Sequence, residues 1–157
     1  MKKIIVLASL LAISANAQNK NFNVSISIDP KATIKEESIN LVAEIELQER
    51  VFYIKATTQV LTALEGGYLD FGGGMGLNTT LGLFEPFRVY GGIRLGIIKR
   101  GSQSYPLFGY ESGIDYNLSE DYFIGLRATY DNREDFLYSG ADPFYRFSGF
   151  VRFGYRF

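Results

Sequence analysis

Gly149-Phe150-Val151-Arg152-Phe153-Gly154-Tyr155-Arg156-Phe157 decides how the rest of the chain is read. Side chains alternate across an extended backbone, so Gly149, Val151, Phe153, Tyr155 and Phe157 share one face and Arg152 and Arg156 share the other. The alternation extends upstream, with Tyr145 and Phe147 on the aromatic face and Arg146 and Ser148 opposite. This is a strand with one greasy face and one charged face, and the same two-residue period recurs back to Phe22.

The first such segment sets Phe22, Val24, Ile26 and Ile28 against Asn23, Ser25, Ser27 and Asp29. A second puts Ile39, Leu41, Ala43, Ile45 and Leu47 opposite Glu44, Glu46 and Gln48. The third sets Phe52, Ile54, Ala56 and Val60 against Tyr53, Lys55, Thr57 and Gln59. The fourth carries Leu69, Phe71, Met75, Leu77, Leu81 and Leu83 on one parity, with Tyr68, Asp70, Gly72, Gly74, Gly76 and Asn78 on the other. Next, Val89, Ile93, Leu95 and Ile97 oppose Arg88, Tyr90, Gly92 and Arg94. Phe108, Tyr110, Ile114 and Tyr116 then oppose Glu111, Gly113 and Asp115, and Tyr122, Ile124, Leu126, Ala128 and Tyr130 oppose Gly125, Arg127 and Thr129. With the terminal strand these make eight, and no segment keeps a helical period.

The connections alternate in length. Turns are expected at 49–50, 84–86 (Glu85-Pro86 breaks the run, since proline donates nothing to a ladder) and 118–121. Charged or long loops are expected at 30–38, 99–104 and 131–143, with a short connection near 63–66. With a periplasmic N-terminus the short turns fall on the periplasmic side and the long loops outside, the asymmetry of transmembrane barrels. Such a barrel turns its apolar face to lipid and its charges inward. The expected lumen set is Glu44, Glu46, Asp70, Glu111 and Asp115 with Lys55, Arg88, Arg94, Arg127, Arg146 and Arg152, which is nearly balanced in sign. Glycines on the same face suit a crowded interior. Phe22, Phe52, Phe87, Tyr116, Tyr122 and Tyr155 near one rim, with Phe108, Tyr110, Tyr130 and Tyr145 near the other, fit two interfacial girdles. A secreted soluble ligand-binding barrel also alternates in this way, but it needs an apolar lumen, which the arginine and glutamate set contradicts.

The N-terminus reads as an export signal. Met1-Lys2-Lys3 is a basic start, Ile4 to Ile13 an apolar run, and Ala15 and Ala17 the small residues of a cleavage site. The run is shorter than the roughly 20 residues of a spanning helix, which argues against a retained anchor. Residues 1–17 are thus expected to be the signal peptide and 18–157 one outer-membrane β-barrel domain. The absence of cysteine excludes disulfides, thiolate chemistry and lipoprotein processing, and a formal net charge of −1 offers no basic field for nucleic acid. The 17 glycines, and an aromatic content made of Tyr and Phe alone, suit an all-β chain.

The terminal strand resembles the C-terminal assembly signal of outer-membrane barrels, in which alternating aromatics end in Phe; Gly149, Val151, Phe153, Tyr155 and Phe157 are the matching positions. Together with the leader and the strand count, the chain from Gln18 onward resembles the OmpA-like and OmpX-like group of eight-stranded barrels. The resemblance implies an antiparallel up-and-down transmembrane barrel, delivered to the barrel assembly machinery and bathed in outer-membrane lipid and lipopolysaccharide. No peptidoglycan-binding domain is expected after it.

Chemistry is argued down residue by residue. There is no histidine, so the histidine-dependent mechanisms of outer-membrane acyltransferases, deacylases and proteases do not carry over. Glu44 with Glu46, or Glu111 with Asp115, would serve acid–base work, yet facing arginines explain them as a paired network. Gly72-Gly73-Gly74-Met75-Gly76 lacks the Lys-Ser/Thr ending and the helix of a phosphate loop. Asp131-Asn132-Arg133-Glu134-Asp135, with Asp142, offers oxygens to a cation without calcium-loop spacing. Asn78-Thr79-Thr80 is a formal glycosylation sequon with no meaning in a bacterial strand. No catalytic residue, metal or cofactor is expected. Two functions remain: a scaffold whose external loops bind a partner, or a small pore or transporter. Eight strands leave an interior that side chains fill, which disfavours a permanent pore.

Overall fold

The computed structural model describes residues 21–35, 37–62, 64, 67–81, 84–140 and 144–157. The expected leader with Ala15 and Ala17 lies outside them, as do Leu83 and Asp142. Eight strands are present: β1 (Phe22–Ile28), β2 (Asn40–Glu49), β3 (Phe52–Leu61), β4 (Tyr68–Leu81), β5 (Phe84–Arg100), β6 (Gln103–Asn117), β7 (Tyr122–Arg133) and β8 (Phe144–Arg156). Each pairs antiparallel with its sequence neighbour, and β8 returns to β1 to close the barrel.

Burial follows the alternation. The charged and glycine-rich parity points inward, and Arg88, Arg94, Arg127 and Arg152 are among the largest fully buried side chains. The apolar parity is the outside, where Ile54, Leu77, Leu126 and Phe153 are each more than half exposed. In water this arrangement would strand dozens of apolar groups while burying ions; in hydrocarbon it satisfies both. The exterior is a surface made for lipid.

Four connections differ from expectation, each for a local reason. The segment expected as a charged loop from Pro30 to Ser38 opens with a short helix, α1 (Pro30–Lys35). Asp29 Oδ1 accepts the backbone N–H groups of Lys31 (2.9 Å) and Ala32 (3.2 Å), and proline's missing donor costs nothing in a first helical turn. The loop expected at 99–104 shrinks to a turn at Gly101 and Ser102, because Gly101 takes a φ of 57° that lets β5 run straight into β6. Glu85-Pro86 does not end a strand but lies inside β5, at a register shift beside Thr80 and Leu81, where a missing donor is tolerated. The stretch from Asp131 continues β7 to Arg133 and then forms a 3₁₀ helix, Glu134–Ser139, ended by Gly140 at φ 75°.

The upper part of β6 rises past β7, while β4 accompanies β5 up to Leu69↔Lys99. β7 leaves β6 at Gly109↔Asp131, whereas β5 and β6 stay paired up to Arg100↔Gln103. Six more residues of β6 amount to roughly 20 Å of strand. The 3₁₀ helix packs against this rise.

Glycine on the inner face makes room for rings. A Cβ on Gly154 would collide with the Phe123 ring, one on Gly113 with the Tyr90 ring, and one on Gly76 would come within 2.8 Å of the Tyr53 hydroxyl. Each aromatic is the register partner of its glycine on the neighbouring strand and occupies the space a side chain there would need, which helps fill a narrow lumen.

Candidate functional site

The lumen is the place where chemistry would occur, and it is filled by ions in two layers. The central layer joins Lys55 of β3 to Glu44 (3.0 Å) and Glu111 (2.7 Å). Arg127 of β7 meets the same two carboxylates, each at 3.0 Å. Arg88 contacts Glu46 (2.7 Å) and Asp115 (3.2 Å). Arg152 reaches Glu44 (3.0 Å), Glu46 (3.4 Å) and Asp115 (2.9 Å), and donates to Ser25 Oγ at 2.9 Å. These contacts form one connected set in which Glu44, Glu46, Glu111 and Asp115 meet Lys55, Arg88, Arg127 and Arg152: four acids against four bases. Asn23 and Tyr53 complete it, donating to Glu46 (3.0 Å) and Glu111 (2.8 Å).

The outer layer is balanced too. Arg94 pairs with Asp131 and lies 3.9 Å from Asp70, while Arg100 (2.9 Å) and Arg133 (2.6 Å) share Asp135. Three bases thus meet three acids. Tyr68 donates to Asp70 at 2.8 Å, and the Arg133 guanidinium stacks 4.7 Å from the Tyr68 ring. Leu61, Tyr68, Ile98 and Leu107 form a small apolar plug in this region. Burial alone would raise the carboxyl pKa of Asp135, in the 3₁₀ helix, but Arg133 and Arg100 hold it below the usual aspartate value.

Balance of this kind matters because an unpaired buried charge costs several kcal/mol. Such a lumen neutralises its own ions among the described residues. Ten of the eleven expected lumen charges are paired as described. The exception is Arg146: it lies on the inward parity opposite Asp131, but it is only half-buried at the outer rim and forms no ion pair among the described residues.

Sequence reasoning missed Arg100, Asp131, Arg133 and Asp135, having left them in loops. Of the carboxylates weighed there for a cation, Asp131 and Asp135 meet arginines, Glu134 accepts from Asn132 at 3.0 Å, and Asp142 lies outside the described residues. It also missed the apolar plug, although Ile98 continues the inward parity of Arg94. The glycine run 72–76 is strand β4, with Gly74 packed close to Glu111 and Lys55.

The residues of the terminal-strand signature share the outer face of β8. Val151 and Phe153 are exposed, Tyr155 meets Tyr122 (5.0 Å) and Phe157 (4.7 Å) edge to face, and Phe157 N–H donates to Phe22 O at 2.8 Å, closing the seam with β1. The expected girdles hold contacting pairs: Phe87 with Tyr116 (5.0 Å) at one rim and Tyr130 stacked on Tyr145 (4.9 Å) at the other.

No family description and no curated protein matches the sequence. Solved structures match the fold. A de novo designed transmembrane β-barrel is similar with a TM-score of 0.60 at 8% identity, covering 89% of this chain and 98% of that one. The outer membrane protein Ail of Yersinia pestis, in a phospholipid bilayer nanodisc, is similar with a TM-score of 0.54 at 13% identity, covering 86% and 99%. The chain has the fold of eight-stranded transmembrane barrels.

Proposed function

We propose that the protein is an exported, non-enzymatic barrel of the bacterial outer membrane, akin to the OmpA-like and OmpX-like group. In this reading it is a rigid scaffold that presents its external connections to a partner. One observation carries the choice of scaffold over pore: the described lumen is occupied from Glu46 to Asp135 by two charge-balanced layers and an apolar plug. Side chains held by several partners each do not swing aside to admit solute. Stiffness serves display, since the β5–β6 hairpin is held by β4 on one side and by the 3₁₀ helix on the other, with Arg100 tied to Asp135. Phe157 and its aromatic neighbours serve as the assembly signal.

The cysteine-free chain allows a clean test. Ser102→Cys at the hairpin tip and Ser119→Cys at the opposite end each introduce one thiol at an exposed position. In intact cells a membrane-impermeant maleimide should label the first and not the second, and a crosslinker carried at position 102 should capture the external partner. Labelling of position 119 alone, or recovery of the chain without detergent from the periplasm, would overturn the reading.

A further inference from the structure

Arg146, left out of the network, marks a break in the wall. β1 pairs with β8 only from Asn23↔Arg156 to Ile28↔Val151, while β7 accompanies β8 up to Arg133↔Phe144. Above Val151 the β1 side of β8 has no strand partner among the described residues. Continued register would place Pro30 opposite Gly149, and proline has no N–H to give; Asp29 turns the chain into α1 instead. Phe157 N–H bonds toward β1 and Arg156 N–H toward β7, so alternation turns the backbone groups of Gly149, Phe147 and Tyr145 toward the gap.

A groove of about 920 Å³, within the range of ligand pockets, runs from this seam across the outer faces of β8, β7 and β6 to Val89 of β5. Ile114, Leu126, Val151 and Phe147 wall it, and Ala128 and Gly149, adjacent in the β7–β8 register, keep its floor low. Four charged residues line it: Asp29, Lys31, Arg127 and Arg146. Asp29 is spent on capping α1 and on Asn40, and Arg127 on Glu44 and Glu111. Two cations, Lys31 and Arg146, are left at the outer rim above an apolar trough.

We propose that this seam binds an acylated, phosphate-bearing glycolipid of the outer leaflet. One acyl chain lies in the groove, and a phosphate sits between Lys31 and Arg146 beside the N–H groups of Phe147 and Gly149, which have no strand partner among the described residues. The inference rests on the outward orientation of this rim proposed above. It goes beyond general contact with surrounding lipid by assigning one site, two cations and one trough.

The test uses the full barrel refolded in phospholipid nanodiscs, titrated with a bisphosphorylated, multiply acylated diglucosamine and read by native mass spectrometry. Lys31→Gln/Arg146→Gln should weaken retention roughly 30-fold, about fivefold per surface charge. The dephosphorylated glycolipid should lose as much on the parent protein. Gly149→Leu, whose side chain enters open space, should fill the trough and expel the lipid, and Ala128→Leu repeats that arm. Heat-dependent gel mobility certifies each barrel as folded, so failure here is separable from failure of the barrel reading. Unchanged retention by the double variant, or by folded Gly149→Leu, would overturn the site. Equal retention of a monophosphate phospholipid would overturn the glycolipid, and protection of the seam by an extended peptide in place of lipid would make it a strand-addition edge.

Discussion

Replacing Arg152 by methionine keeps most of the side-chain volume and removes one charge from a set whose members otherwise cancel. Glu44, Glu46 and Asp115 each lose a partner at 2.9–3.4 Å, and Ser25 loses a donor. Glu44 keeps Lys55 and Arg127, and Glu46 and Asp115 keep Arg88, so no carboxylate is stripped bare. The layer nevertheless carries one uncompensated negative charge away from water, and breaking a buried ion pair in this way costs roughly 3–5 kcal/mol. With a urea slope of about 2 kcal/mol per M, the midpoint should fall by roughly 2 M. The assay is urea unfolding in phospholipid vesicles followed by circular dichroism. Arg152→Met/Glu44→Met restores neutrality at three acids and three bases, and the cycle should show a favourable coupling of about 1–3 kcal/mol. A single variant within about 1 kcal/mol of the parent, or a double variant as unstable as the sum of its parts, would refute the claim that charge balance holds the lumen together.

Three further outcomes follow from the same geometry. Leu126→Arg places a cation on the lipid face near mid-membrane and should cost roughly 2–4 kcal/mol in vesicles; tolerance of it would mean that the faces are assigned backwards. Gly154→Ala should destabilise by about 1–3 kcal/mol, because its methyl group enters the Phe123 ring, and Phe123→Leu in that background should recover part of the loss, with urea midpoints as the readout. The Asp135 carboxyl sits below its unfolded pKa of about 3.9, so its contribution is whole above that pH and is lost as pH falls through the folded value. Amide shifts of residues 133–140 in nanodiscs should hold from neutral pH to about 4 and change only below; a transition near pH 6 would contradict the assignment.

Strand parity was legible because a barrel between lipid and a polar lumen imposes opposite demands on neighbouring residues, and Glu44-Ile45-Glu46 or Ile93-Arg94-Leu95 satisfies both at once. The connections were less legible, because the sequence cues have two uses. Charged residues between 99 and 104 suggest a loop, yet above the membrane a strand may be charged on both faces, and Gly101 alone marks the turn. Pro86 suggests a strand end, yet a register shift accommodates it. The same ambiguity hid the outer layer: Asp131 and Asp135 look like a solvated loop until the fold brings Arg94, Arg100 and Arg133 to them from 2 to 37 positions away. The seam groove could not be read at all, since it depends on where β1 stops relative to β8, a register that no local pattern encodes.

Conductance in planar bilayers tests the sealed, charge-balanced barrel most directly. The purified parent should insert without any steady open level, while Arg94→Leu/Arg127→Leu, which removes one cation from each layer and weakens the barrel, should raise conductance from that baseline in the fraction that gel mobility shows to be folded. A stable open level in the parent, unchanged by the double variant, would contradict the account and make the protein a pore.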